Sequence, residues 1–269
     1  MVALSASDDR SAERRGGLNR PHDKRGVLVV TGAGRGIGAA IAKAAAADGW
    51  TVAVNYARDA ESANATVAAI EAAGGRARAI QADVQSESGI AALFAAADGL
   101  GQLRGLVNNA GGSAEARIAD ITAADYDRMM DGNLRTTVFC SREAVRRMAT
   151  DRGGQGGAIV NIGSRASVLG GQPGRVMYAA AKGAVDGFTV GLANEVGRLG
   201  IRVTCVRPGV IRTESHEARA GAERLRQITA PIALGRPGEP EEVANLAVFL
   251  LSPAASYMTG ALVDLGGGR

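Results

Sequence analysis

The chain has 269 residues, of which 46% are hydrophobic and 22% charged, and its net charge is +4 at pH 7. These proportions are typical of a globular protein with a substantial core. No run approaches the roughly 18 apolar residues of a membrane-spanning helix, and no apolar stretch follows the basic N-terminus. We therefore expect neither a membrane protein nor a secreted one.

The two cysteines and two histidines supply little chemistry. Cys140 and Cys205 lie far apart in apolar stretches, outside any metal-binding spacing, which favours reduced packing residues in a cytoplasmic protein. His22 and His216 are too few for a zinc site or a Ser-His-Asp triad.

Half of the net charge comes from residues 1–25, with six Arg/Lys against four Asp/Glu. Because no basic stripe is interleaved with aromatics, no nucleic-acid partner is predicted.

Residues 1–25 are polar and lack periodicity, so they are predicted to form a disordered tail. From Gly26 onward, short apolar runs alternate with helical patterns. The predicted strands are 27–30, 51–56, 76–82, 106–108, 158–162, 202–206 and 261–265. The predicted helices lie at about 36–48, 59–73, 86–99, 134–150, 177–199 and 239–251.

Strands separated by helix-length segments indicate βαβ units. Right-handed crossovers then give an α/β fold, a doubly wound parallel sheet of about seven strands with helices on both faces. With no linker inside it, the range 26–269 is predicted to be a single domain. Its ligand should lie outside the C-terminal strand ends, beneath a lid formed by 207–238, the longest stretch without a strand.

The first predicted strand is followed directly by "TGAGRGIG", residues 31–38. The turn differs from GxGxxG because Ile37 stands where the last glycine would be. Its glycines allow the backbone to approach a pyrophosphate, to which the following helix offers unpaired N–H groups. A purely structural strand–helix turn is the alternative.

The stretch "YAAAK" opens a later helix and places Tyr178 and Lys182 one i, i+4 step apart. That spacing brings a phenol and an ammonium to one helical face. Taken alone, the pair is typical of a core-edge tyrosine beside a solvated lysine. Its neighbours along the chain change this interpretation.

Three further motifs stand at strand ends: "NNAG" (108–111), "NIGS" (161–164) and "RPGVIRT" (207–213). With these five motifs in order and at near-family spacing, residues 26–269 resemble the short-chain dehydrogenase/reductase family, in its one-domain branch. The resemblance implies a Rossmann-type fold and an oxidoreductase that transfers a hydride between NAD(P)(H) and a ketone or secondary alcohol. It also implies a homotetramer.

The resemblance assigns cofactor-binding roles motif by motif. In the glycine turn, Gly32, Gly36 and Gly38 match the pyrophosphate site, together with Gly34, Arg35 and Ile37. The remaining matches are Asp83 and Val84 at the adenine, Asn109, Ala110 and Gly111 under the adenine ribose, and Pro208, Gly209, Ile211 and Thr213 around the nicotinamide carboxamide.

For catalysis, the resemblance implies Asn133, Ser164, Tyr178 and Lys182. Ser164 and Tyr178 are 14 positions apart, one more than is common in the family, and we expect the loop between them to absorb the extra residue. Ser167 is a rival for the serine role, but it lies three residues past the strand end.

The chemistry explains these residue types. Hydride transfer to a carbonyl leaves an alkoxide, so a proton donor must stand beside the oxygen. The charge of Lys182 stabilises the phenolate form of Tyr178, and Ser164 can hydrogen-bond the substrate oxygen. The resemblance adds that Lys182 binds the nicotinamide ribose and that Asn133 fixes a water linking Lys182 to solvent.

The end of the second strand predicts a preference for NADPH. An NAD-selective site places a carboxylate there to bind the ribose 2′-OH, but Tyr56 occupies that position. Arg58 follows and Arg35 rises from the glycine turn, so two guanidiniums can bind a 2′-phosphate. Asp59 and Glu61 weaken the case, and an NAD-dependent dehydrogenase remains an alternative.

Other functions also remain open. A dinucleotide-binding sensor or scaffold would keep the fold without turnover, but it would be expected to lack the tyrosine or the lysine. A sugar-nucleotide epimerase or dehydratase would need a larger C-terminal substrate region.

The substrate is not readable from the sequence. The pocket should be lined by 112–117, 165–177 and the lid, where Arg165, Arg175, Val176, Met177 and Arg212 give no single indication. The arginines are compatible with an acidic substrate, but arginines are also ordinary surface residues. A 3-oxoacyl thioester, a sugar and an alicyclic ketone are all compatible with it.

Overall fold

The computed structural model describes residues 25–213, 227 and 229–269. Except for Arg25, the predicted disordered tail lies outside these residues. So do His216 and the portion of the predicted lid at 214–226 and 228.

Seven parallel strands form one sheet in the order β3-β2-β1-β4-β5-β6-β7. They are β1 (Val27–Val30), β2 (Thr51–Tyr56), β3 (Arg76–Gln81), β4 (Leu103–Asn108), β5 (Gly157–Ile162), β6 (Ile201–Pro208) and β7 (Leu262–Leu265). The inner strands are nearly continuous runs of buried apolar residues, as in sheets covered on both faces. The predicted doubly wound fold is confirmed.

Helices cover both faces of the sheet. They are α1 (Gly36–Ala47), α2 (Ala60–Ala72), α3 (Glu87–Asp98), α4 (Ala123–Met130), α5 (Thr136–Met148), α6 (Ala166–Leu169), α7 (Val176–Val196) and α8 (Pro240–Leu251). Helix α1 contacts its face through alanines, Ala42 and Ala45 being fully buried. These small side chains bring the backbones of helix and sheet close together. None of the described helices is long and apolar enough to cross a bilayer.

The structure differs from the predicted elements in several places, among them the short helix α6, which was not predicted. Strand β4 begins at Leu103 rather than at 106, and β6 continues through Pro208 into the range assigned to the lid. Helix α4 was not predicted, although Thr122 and Asp125 form a capping box at its start. A π-helical turn, Asp131–Arg135, joins α4 to α5.

A chain of buried side-chain hydrogen bonds ties the sheet to α5 and α7. Asn108 Nδ2 donates to Ser141 Oγ (3.0 Å) and to Asn161 Oδ1 (2.8 Å). Asn161 Nδ2 in turn donates to Thr189 Oγ1 (2.8 Å). Because buried polar groups are costly when unpaired, this chain fixes both helices relative to the ends of β4 and β5.

Candidate active site

The glycine turn after β1 is locked to the end of β4 by Thr31 and Asn109. Thr31 Oγ1 accepts the N–H groups of Asn109 (3.0 Å) and Ala110 (2.9 Å). Asn109 Nδ2 donates to the carbonyls of Thr31 and Gly32, both at 3.0 Å. On the other side, Asn55 Oδ1 accepts the N–H of Gly32 (3.2 Å). The ends of three adjacent strands thus fix the path of the turn.

Helix α1 enters this turn at very close range. A Cβ on Gly38 would lie 2.3 Å from the Gly32 carbonyl oxygen and 2.6 Å from Asn109 Nδ2, so only glycine fits. Gly36, the first helical residue, has φ +55°, and no side chain caps the helix at Arg35. The first-turn N–H groups are therefore left for an anion, as a pyrophosphate site requires.

Two adjoining cavities open along the C-terminal ends of the strands. The larger, about 560 Å³, is lined by many of the predicted site residues: Arg35, Ile37, Asn109, Gly111, Asn133, Ser164, Tyr178, Lys182, Pro208, Gly209, Ile211 and Thr213. The smaller, about 250 Å³, is lined among others by Gly32, Asp83, Val84, Ala110 and Gly111. Gly111, Gly112 and Ser113 border both cavities, which together form one continuous groove.

Five predicted residues do not line either cavity: Gly34, Gly36, Gly38, Tyr56 and Arg58. Gly34 lies against α2, where an added Cβ would meet the Ala63 nitrogen at 3.3 Å. Tyr56 is half-buried at the end of β2, and Arg58 is exposed beyond it. These two could reach a ligand only at the rim of the groove.

Lys182 and Tyr178 lie on one face of α7, as their spacing predicted. The lysine Nζ is 5.9 Å from the centroid of the phenol ring and donates to the Ile162 carbonyl (2.8 Å). Only 6% of Lys182 is exposed. The ammonium is thus buried beside the phenol and held by the end of β5.

Asn133 lies in the π-helical turn, on the same side of the groove as Lys182. Its Nδ2 donates to the carbonyls of Met129 (2.9 Å) and Gly112 (3.0 Å). Its Oδ1 is buried and accepts no hydrogen bond from the described residues. A Cβ on Gly111 would lie 2.7 Å from this oxygen and 3.6 Å from Lys182 Nζ, so glycine leaves the two polar groups room.

Of the two candidate serines, Ser164 lines the larger cavity and Ser167 does not. Ser164 Oγ accepts the N–H of Ala166 (3.1 Å) at the start of α6. The hydroxyl of Ser167 donates back to the Ser164 carbonyl (2.8 Å). Helix α6 and the loop after it lie between Ser164 and Tyr178.

A family model described as enoyl-(acyl carrier protein) reductase matches residues 32–269. An uncharacterized oxidoreductase of Escherichia coli K12, YgfF, is 45% identical over 90% of this chain and 99% of its own length. The chain belongs to the short-chain dehydrogenase/reductase family. Members of this family are NAD(P)-dependent oxidoreductases.

Solved short-chain dehydrogenases share the fold closely. The Burkholderia cenocepacia J2315 enzyme, solved in complex with NADP, is 38% identical with a TM-score of 0.84, over 91% of this chain and 98% of its own. A 7α-hydroxysteroid dehydrogenase solved with NADH and 7-oxoglycochenodeoxycholic acid is 32% identical with a TM-score of 0.85, over 90% and 93% of the two chains. Structures of this fold therefore hold either dinucleotide.

The residues of this short-chain dehydrogenase/reductase fit such a cofactor. The glycine turn and the uncapped start of α1 suit its pyrophosphate. The smaller cavity suits its adenosine half, and the larger one has room for the nicotinamide and a substrate.

Neither cysteine of this short-chain dehydrogenase/reductase takes part in the site. Burial raises the pKa of both thiols to about 12, and nearby carboxylates, Glu143 for Cys140 and Asp186 for Cys205, add to the shift. Both thiols are therefore protonated at neutral pH and are poor nucleophiles. This confirms the prediction that they are packing residues.

The sequence interpretation missed three residues that shape the site. Thr31 was inside the quoted glycine motif but received no role, and Asn55 is a single polar residue in an apolar strand. Arg269, which lines the larger cavity, lies after β7, far along the chain from every motif. Only for Thr31 did the sequence carry a usable signal, its place at the strand end.

We expect Gly38→Ala to weaken dinucleotide binding about tenfold or more, because its Cβ would push α1 away from the turn. Fluorescence titration with NADPH and a thermal melt measure the effect. The control is Gly99→Ala at the end of α3, where φ is −68° and the nearest atom to an added Cβ is 3.5 Å away. A Gly38→Ala protein that binds and melts like the wild type would contradict the assignment of the turn.

Proposed function

We propose that the protein is an NADP-dependent oxidoreductase that interconverts a ketone and a secondary alcohol, with Tyr178 as the general acid and base. The observation that carries the proposal is that Tyr178, Lys182, Ser164 and Asn133 all line the cavity that adjoins the glycine turn. Four residues with complementary roles in one reaction converge there from three places in the fold: α7, the π-helical turn and the end of β5.

The bound nicotinamide supplies the hydride in reduction and accepts it in oxidation. The hydroxyl of Ser164 holds the substrate oxygen, and the hydroxyl of Tyr178 gives that oxygen a proton in reduction or removes one in oxidation. The ammonium of Lys182 stabilises the phenolate left on Tyr178. Its hydrogen bond to Ile162 keeps it in place, and Asn133 Oδ1 offers an acceptor on the path back to solvent.

We expect Tyr178→Phe to lower kcat by roughly 10²–10⁴, the usual contribution of general acid–base catalysis. The ring and its packing remain, so NADPH affinity and melting temperature should not change. NADPH consumption with a panel of ketones, beside a titration of the cofactor, measures both. Tyr257→Phe, on a fully exposed ring, is the control. A Tyr178→Phe enzyme as active as the wild type would show that another group moves the proton.

The preference for NADP rests on the chain's own residues, since structures of this fold hold either dinucleotide. Arg35 lines the larger cavity and Arg58 lies beyond β2. Asp59, the acidic residue that weakened the prediction, caps α2 and accepts the N–H (3.0 Å) and hydroxyl (2.7 Å) of Ser62. These two bonds and the nearby charge of Arg35 lower its pKa. Its carboxylate is thus engaged with α2, and the preference for a 2′-phosphate rests on Arg35 and Arg58.

We expect Arg58→Ala to lower NADPH affinity roughly 10–150-fold and to leave NADH affinity unchanged, because one charge-assisted hydrogen bond is lost. Titration of wild type and variant with both dinucleotides measures this. The control is Arg152→Ala. Arg152 is an exposed arginine before β5, at the N-terminal ends of the strands. Equal wild-type affinities for the two dinucleotides, or an Arg58→Ala protein that keeps its NADPH affinity, would refute the preference.

A homotetramer is supported by the outer face of α7. Val185 and Val196 are buried against the sheet, but Phe188 and Leu192 are only partly buried, and Val190 is 38% exposed. Large apolar side chains thus occur on two sides of the helix, as an isologous contact would require. Light scattering at micromolar concentration should give the mass of four chains, and the mass of one chain would contradict the proposal.

A further inference from the structure

The larger cavity carries more positive charge than the proposed proton transfer needs. Its lining includes five cationic side chains: Arg35, Arg165, Arg175, Lys182 and Arg269. No aspartate or glutamate is among the described residues that line it. Arg35 belongs to the glycine turn and Lys182 to the catalytic group. The other three have no role in the reaction described so far.

We propose that the carbonyl substrate carries an anionic group, and that Arg175 and Arg269 bind this group beside Tyr178. The inference rests on the proposed function, whose substrate class it narrows. Arg175 immediately precedes α7 and stands three residues before Tyr178, so its charge lies at the start of the helix that supplies the acid.

Arg175 is held in place before any substrate arrives. Its Nε and Nη2 donate to one oxygen of Glu115, at 3.0 and 2.7 Å. The arginine side chain is only 19% exposed, whereas that of Glu115 is 45% exposed and does not line the cavity. The carboxylate therefore stands behind the guanidinium and orients it. A guanidinium that is already ordered loses less entropy when it binds an anion.

Arg269 is brought to the cavity by the segment that follows β7. Its carbonyl oxygen accepts from Arg165 Nε (2.7 Å), and Arg165 also pairs with Asp264. On the other side, Leu234 donates its N–H to the carbonyl of Gly267 (3.0 Å). The segment is thus held between Arg165, at the start of α6, and Leu234, and Arg269 lines the larger cavity.

Arg165 has a different part from the other two. Its guanidinium pairs with Asp264, which also accepts from Arg207 Nε (2.6 Å), and donates to the main-chain oxygen of Arg269, so its role is to anchor the segment. Arg212, which the sequence left as a candidate, is bonded to Glu239 and does not line the cavity. The substrate therefore meets Arg175 and Arg269.

A neutral ketone gains nothing from these charges, whereas an anion does. Arginine forks bind carboxylate and phosphate oxygens with paired, charge-assisted bonds. In a partly enclosed cavity such bonds are screened less than on the surface. The favoured substrates are therefore carbonyl compounds with a carboxylate or a phosphate.

Two matched pairs test the proposal: 4-oxopentanoate against its methyl ester, and dihydroxyacetone phosphate against dihydroxyacetone. With NADPH, we expect kcat/KM for at least one anion to exceed that for its neutral partner about tenfold or more, and the ratio to fall as salt is added. Arg175→Met and Arg269→Met should each lower the ratio, through a higher KM for the anion. Arg117→Met, an exposed arginine outside the cavity lining, is the control.

A binding measurement separates this inference from the proposed function. Calorimetry of Tyr178→Phe saturated with NADP⁺ gives the affinity for each compound without turnover. If no compound reacts, the proposed function is in error, but tighter binding of an anion that is lost in Arg175→Met still supports the anion site. Neutral compounds that bind as tightly as the anions, or no binding of either anion, would overturn it.

Discussion

The site depends on the hydrogen bonds that join Thr31 to Asn109. They connect residues 78 positions apart and hold the ends of β1 and β4 together where both strands stop. The glycine turn is built on this junction, and α1 approaches it closely because Gly38 has no Cβ to meet the Gly32 carbonyl and Asn109. If the two strand ends were free, the uncapped start of α1 would have no fixed position relative to Tyr178 and Lys182. A hydride transfer tolerates little displacement of its reactants, so the geometry it needs depends on this junction.

Most of the fold could be predicted from the sequence because buried parallel strands and amphipathic helices have distinct local patterns of apolar residues. The exceptions follow from contacts that no local pattern records. Strand β4 starts three residues earlier than expected because Gly105, with no apolar side chain of its own, lies under Leu28 and Trp50. Helix α4 did leave a signal, the capping box of Thr122 and Asp125, but it has only eight residues, too few for its periodicity to indicate a helix.

Some residues of the candidate site could likewise be predicted from the sequence, and others could not. Motif residues near strand ends could be predicted because the carboxyl ends of parallel strands share one edge of the sheet. The orientation of Asn133 could not, since it depends on a π-helical turn, whereas the place of Ser164 at the strand end already favoured it over Ser167. Arg269 was invisible to the sequence because only the packing of a terminal segment against Arg165 brings it to the cavity.

The groove has two walls, one along the glycine turn and one around Arg175 and Arg269, and they are built from different parts of the chain. The cofactor wall consists largely of glycines and main-chain groups, whose positions are set by the sheet, whereas the wall around Arg175 and Arg269 consists of side chains on connections outside it. Substitutions in the second wall disturb few buried contacts, so they cost the fold little. A scaffold divided in this manner can acquire new substrates during evolution, or in the laboratory, while the wall built on the sheet stays as it is.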